Sequence, residues 1–212
     1  MNLPELEWQI IYGRIAWSVV LTALGIAILQ HFGRTSRTAV SLLLASAMLF
    51  AVLPGESSIS FWLGLAFQWP SGLLFGLCLV KLHLTFRGSL EKTVMPVTLS
   101  VPIVLGGALL YLDAIGILSL GIYYVGFEPV FAPLLALMLA IASSAVAVIG
   151  KMPSSAFALL LAAAMFMLLR LPTGNLWDSL LDPLLWTWSL VSLCATGLQW
   201  RRQYPVGHPK RE

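Results

Sequence analysis

Between Glu128 and Lys151 the chain runs for 22 residues without a charged side chain. As a helix rising 1.5 Å per residue, that stretch is about 33 Å long, enough to cross ~30 Å of hydrocarbon. A backbone in lipid must satisfy its own N–H and C=O groups, which leaves helices or a closed barrel. Runs near 20 residues with no period-two alternation select helices.

The same pattern recurs along the chain. With 59% hydrophobic and 10% charged residues and a mean hydropathy of +0.91, the 212 residues lack the polar surface that would cover a water-soluble globule. The expected fold is all-α: a single polytopic transmembrane bundle of about seven spans over residues 1–202, followed by a disordered cytoplasmic tail, 203–212. The spans are read as Trp8–Gln30, Thr38–Leu53, Ile59–Leu82, Val94–Leu112, Phe127–Gly150, Ser154–Leu171 and Leu176–Trp200. The apolar stretch Ala114–Gly126 is too short for a crossing and is interrupted by Gly116 and Gly121, so it is read as interfacial or re-entrant, with Tyr123 and Tyr124 at headgroup depth.

Orientation follows from the basic residues. In this layout ten of the 12 Lys and Arg (34, 37, 81, 87, 92, 151, 201, 202, 210 and 211) share one face, which the positive-inside rule makes cytoplasmic. The N-terminus is then outside and the C-terminus inside, in a cell inner membrane. The acidic start, Met-Asn-Leu-Pro-Glu-Leu-Glu, lacks the basic region of a cleavable signal. The net charge of +3 is accounted for by topology and implies no nucleic-acid partner.

Two features interrupt the apolar spans. Gln68-Trp69-Pro70-Ser71 lies within the third, where Pro70 removes a helix hydrogen bond and predicts a kink with Gln68 pointing inward. Gly72 and Gly76 beside it permit close helix approach. The second feature is Arg170-Leu-Pro-Thr-Gly-Asn-Leu-Trp-Asp-Ser-Leu-Leu-Asp182, where an arginine, a turn and two carboxylates spaced i, i+4 meet the outer face.

Topology places Arg14, Asp113, Glu128, Arg170, Asp178 and Asp182 at one outer level, and with Gln68 they form the candidate ligand or ion pathway. Two readings of the set stay open. In one, Asp178 and Asp182 meet Arg170 and Arg14 around a polar vestibule. In the other, the same residues anchor the bundle: Asn175 and Asp178 as an N-cap pair, Glu128-Pro129 as a helix start, and the arginines snorkelling to headgroups.

No catalytic set, cofactor or metal site is expected. His31, His83 and His208 all fall on the basic side, Cys78 and Cys194 lack partners at ligand spacing, and no nucleotide, zincin or nucleophile-elbow pattern occurs. The expected partners are the lipid bilayer and a larger membrane complex or a second copy of the chain. Three function classes follow: an accessory or assembly subunit, a small-solute or ion transporter using the outer vestibule, and an intramembrane enzyme acting on lipid.

Overall fold

The computed structural model describes residues 3–33, 36–88, 95–150 and 152–203, with side chains through 200. Among these residues the protein is 79% helix and contains no strand, so its backbone polarity is satisfied within helices. Ten α-helices follow one another: α1 (Leu6–His31), α2 (Arg37–Val52), α3 (Ile59–Phe67), α4 (Gly72–Arg87), α5 (Val97–Ala114), α6 (Ile122–Val125), α7 (Phe131–Val148), α8 (Pro153–Leu169), α9 (Leu176–Leu180) and α10 (Pro183–Gln203). By length and composition α1, α5 and α7 are long and apolar enough to cross a membrane, while α2 and α8 are shorter apolar helices.

Local chemistry sets the helix starts. Ser36, Ser58 and Ser71 each stand in an extended N-cap conformation with the hydroxyl oxygen accepting a backbone N–H, from Ala39, Ser60 and Leu74 respectively. Pro153 occupies the first turn of α8, where its missing N–H costs nothing. Gly88 ends α4 in the left-handed region.

Side-chain pairings fix the directions of the longer helices. Tyr12 meets Pro70 and Gln30 meets Thr85, so α1 and α4 run parallel. Gly25 lies against Leu43 and Ser18 against Ala47, so α2 returns antiparallel to α1. Along α8, Ala162 faces Gly72 and Ala158 faces Gly76, which makes α8 antiparallel to α4.

The centre of the bundle is α4, which packs on α1, α2, α8, α9 and α10. Its glycine pair works as expected from the sequence: a Cβ at Gly76 would stand 2.9 Å from the Ala158 Cα, and one at Gly72 would stand 3.0 Å from the Ala162 Cα. The main core joins Ile26, Leu73, Leu77, Leu99, Ile103, Ala158, Ala162 and Leu185, drawn from five helices. Two helices sit at the periphery. The first, α5, leans chiefly on α10, and the second, α7, lies along α8.

Two sequence expectations change. The stretch Ile59–Leu82 is two helices separated by Gln68–Ser71 rather than one kinked helix. Gln68 has φ +60°, and its side chain is exposed instead of pointing into the bundle. Leu176–Trp200 is likewise broken, at Leu181 and Asp182, so Asp178 and Asp182 do not share a face of one helix. The stretch Ala114–Gly126 forms a turn and the four-residue α6, with no helix long enough for a crossing. The tail from 204 onward lies outside the described residues.

Candidate functional site

Two short breaks, α3/α4 and α9/α10, meet at Asp182. Its Oδ2 accepts the Ser71 N–H at 2.9 Å and its Oδ1 accepts the Leu185 N–H at 2.8 Å. Ser71 begins α4 and Asp182 begins α10, so one carboxylate closes the starts of two helices 111 residues apart in sequence. A helix start carries unpaired N–H groups and partial positive charge, and both favour an anion there. The neighbouring carbonyls are taken up by α1: the Tyr12 hydroxyl donates to the Pro70 carbonyl at 2.6 Å and the Trp17 indole N–H to the Gln68 carbonyl at 3.1 Å. Asp182 and Tyr12 are both buried.

A second polar group lies beside this one and joins the α5–α6 turn to the Thr173–Asp178 turn. Asp113, in the last turn of α5, accepts the N–H groups of Leu120 at 2.6 Å, Gly121 at 2.8 Å and Tyr123 at 2.8 Å. A carboxylate near a helix C-terminus opposes the dipole. Three backbone donors offset that cost, and they hold the start of α6 against the end of α5. From α6 the Tyr123 hydroxyl donates to Asp178 at 3.2 Å, while the Trp177 indole N–H donates back to the Ile122 carbonyl at 2.9 Å. Thr173 also donates to Asp178. Asn175, fully buried, donates to the Tyr123 carbonyl at 3.2 Å and caps α9 by accepting the Trp177 N–H at 2.9 Å. The backbones touch directly where the Leu176 N–H donates to the Gly126 carbonyl at 3.0 Å. Gly126 is required here, because any Cβ would collide with the Asn175 amide oxygen.

Burial, reinforced by the charge of Asp178, pushes the Tyr123 phenol up to about 12. It therefore stays a donor throughout the neutral range. Tyr123→Phe is expected to cost about 0.5–1.5 kcal/mol, because the bond is long for a hydroxyl on a carboxylate and the ring is only half-buried. The stabilisation is complete below the ordinary tyrosine value near 10 and fades only as pH rises through about 12, so the penalty should not vary between pH 6 and 9. Thermal unfolding in detergent at several pH values checks this, and a penalty that disappears within that window would refute the assignment.

The seven residues singled out from the sequence divide sharply. Asp113, Asp178 and Asp182 are in these two groups, each with its lone pairs given to backbone or hydroxyl donors. Arg14 is half-buried in α1, and among the described residues no ion pair joins it, or Arg170, to Asp178 or Asp182. Arg170 instead ends α8 at φ +56° with its guanidinium 4.9 Å from the centre of the Phe166 ring, a cation–π contact. Glu128 is exposed and contributes through its backbone, its N–H donating to the Val125 carbonyl and its carbonyl accepting the Ala132 N–H. Gln68 likewise contributes its carbonyl rather than its amide side chain.

Sequence reading missed Tyr12, Ser71, Tyr111, Tyr123 and Thr173. The available signal was hydroxyl residues flanking proline and glycine breaks. Tyr111 stands apart among them. It packs edge-on against Trp186, and its buried hydroxyl has no hydrogen-bond partner among the described residues. Among the described residues no group of three or more His, Cys, Asp or Glu is arranged to hold a metal, and Cys78 and Cys194 are free thiols.

No family model, curated protein or solved structure matches the chain.

Proposed function

We propose that the protein is a seven-span integral protein of a bacterial-type inner membrane, N-terminus outside and C-terminus cytoplasmic, serving as a non-enzymatic accessory or assembly subunit of a larger membrane complex. Seven of the described helices (α1, α2, α4, α5, α7, α8 and α10) have sixteen or more residues, and the antiparallel returns of α2 and α8 fit alternate crossings. Arg37, Lys81 and Arg87 then fall toward one end of the bundle and Asp113, Asp178 and Asp182 toward the other.

The observation that carries the subunit reading is the use of the three carboxylates. Asp113, Asp178 and Asp182 are bound to donors of the protein itself, which makes the outer rim a brace between segments rather than an open anionic site. A brace of this kind gives a rigid body whose outward helices can dock. Along α7 only Ala132, Ala136 and Ser143 are buried, and Met138 and Ile141 face outward at about three-fifths exposure.

A photo-crosslinking residue at Met138 is expected to capture another membrane polypeptide or a second copy, whereas one at Ala136 should capture neither. Purification in mild detergent as a lone monomer, with no adduct from Met138 or Ile141, would defeat this reading.

A small-solute or ion transporter is the second reading, and the Tyr111 hydroxyl, buried without a hydrogen-bond partner among the described residues, favours it. Broken helices whose starts converge on a charge are used by transporters to build sites within the bilayer. In proteoliposomes loaded with a pH-sensitive dye this reading requires a proton or ion flux above that of empty vesicles, reduced by Tyr111→Phe at unchanged protein level. Flux equal to empty vesicles counts against it.

A further inference from the structure

A partly enclosed cavity of about 360 Å³ lies between α1, α4 and α10, within the ~300–1,000 Å³ of small-ligand pockets. Ala23 and Ala27 of α1, Leu74 of α4 and Trp188 of α10 make its walls apolar, and its polar lining comes chiefly from Lys81 and Thr187. These three helices run the same way, since Tyr12 pairs with Pro70, Gln30 with Thr85, and the α4 and α10 starts share Asp182. The groove is therefore graded along its length. Leu74 and Leu184 stand at the end nearer the helix starts, and Lys81 stands at the end nearer the helix termini.

Lys81 lies six residues before the end of α4, roughly 9 Å along the axis, which brings its ammonium within reach of the headgroup level. No acidic side chain pairs with it among the described residues. A cation held in an apolar groove without a counter-ion is costly. A ligand that suits this groove brings an anion at one end and hydrocarbon at the other.

We propose that this groove is a binding site for one acyl chain of an anionic phospholipid, with the lipid phosphate at Lys81 and the chain lying along Cys78 and Leu74 toward the middle of the bilayer. Basic pockets between transmembrane helices bind acidic headgroups in this manner. The small residues Ala23 and Ala27 leave room for the chain, and Thr187 offers a hydroxyl beside it. The site is separate from the Asp182 junction; it rests on the membrane-spanning layout proposed above but not on the subunit reading.

Trp188 lines the groove and serves as the reporter. The full-length protein is placed in phosphatidylcholine nanodiscs containing increasing amounts of acyl-brominated phosphatidylglycerol or, in parallel, acyl-brominated phosphatidylcholine. Bromine quenches nearby indoles, and the difference between wild type and Trp188→Phe isolates the groove signal from the other tryptophans. Brominated phosphatidylglycerol is expected to reach half-maximal quenching at about a five-fold lower mole fraction than brominated phosphatidylcholine, the factor for one basic residue meeting an anionic lipid. Lys81→Gln should erase that preference and Lys81→Arg should keep it. Ala27→Phe should fill the groove and abolish quenching of Trp188 by either lipid, while Arg87→Gln, outside the groove, should change nothing. Equal titration by the two lipids in the wild type overturns the proposal, as does a preference that survives Lys81→Gln.

Discussion

Asp182→Ala is expected to destabilise the protein by about 2–4 kcal/mol, because it removes an N-cap and leaves the buried Ser71 N–H without an acceptor. The sign needs an argument, since deleting the carboxylate also deletes the cost of burying it, several kcal/mol for an isolated ion. That cost is largely offset in place by two charge-assisted hydrogen bonds and two helix starts. After the deletion, the backbone donors remain buried and gain nothing in return. Asp182→Asn preserves the shape and one acceptor oxygen but turns an amide N–H₂ toward a backbone N–H, so it should fall between alanine and wild type. Loss of the monodisperse peak after stepwise heating in detergent measures the order. A midpoint for Asp182→Ala equal to that of wild type would mean that the α4 and α10 starts do not depend on this side chain.

The second large effect is expected at Gly76. A Cβ there meets the Cα of Ala158 at 2.9 Å, and a backbone atom cannot rotate away as a side-chain tip can. Gly76→Ala should cost about 1–3 kcal/mol by forcing α4 and α8 apart, and Gly76→Leu should leave no folded protein to purify. Gly106, on α5, provides the contrasting case. Nothing lies within 4 Å of its Cβ position, so Gly106→Ala should be neutral or stabilising by about 0.5–1 kcal/mol through the better helix propensity of alanine. If both substitutions behave alike, the close approach of α4 and α8 is not what makes glycine necessary at Gly76.

Much of the architecture was readable in the residue pattern because it rests on coarse physics. Charge-free runs near 20 residues specify helices, Gly72 and Gly76 specify a close approach, and Pro70 specifies an interruption. The second interruption was also written, since Asp182-Pro183 is an N-cap followed by a first-turn proline. It was overlooked because the apolar run passes through it without a gap. The site was legible only in part. Loop charge placed Asp113, Asp178 and Asp182 at one level, yet their partners are mostly backbone N–H groups, which every residue but proline carries and no sequence marks. Arginine was the natural counter-ion to expect for them. Arg170 instead turned to the face of Phe166, a choice governed by packing around the end of α8. Tyr123 escaped for a similar reason, because tyrosine at an interface is ordinarily read as a headgroup anchor.

The bond from Ser71 to Asp182 also imposes an order on biogenesis. Ser71 leaves the ribosome 111 residues before its acceptor, and its amide has no side-chain partner until the last long helix has been inserted. Until Asp182 has been made, the start of α4 lacks this acceptor. Chains truncated before Asp182 should accordingly be degraded faster than chains truncated after α10, because only the latter can form the bond between Ser71 and Asp182.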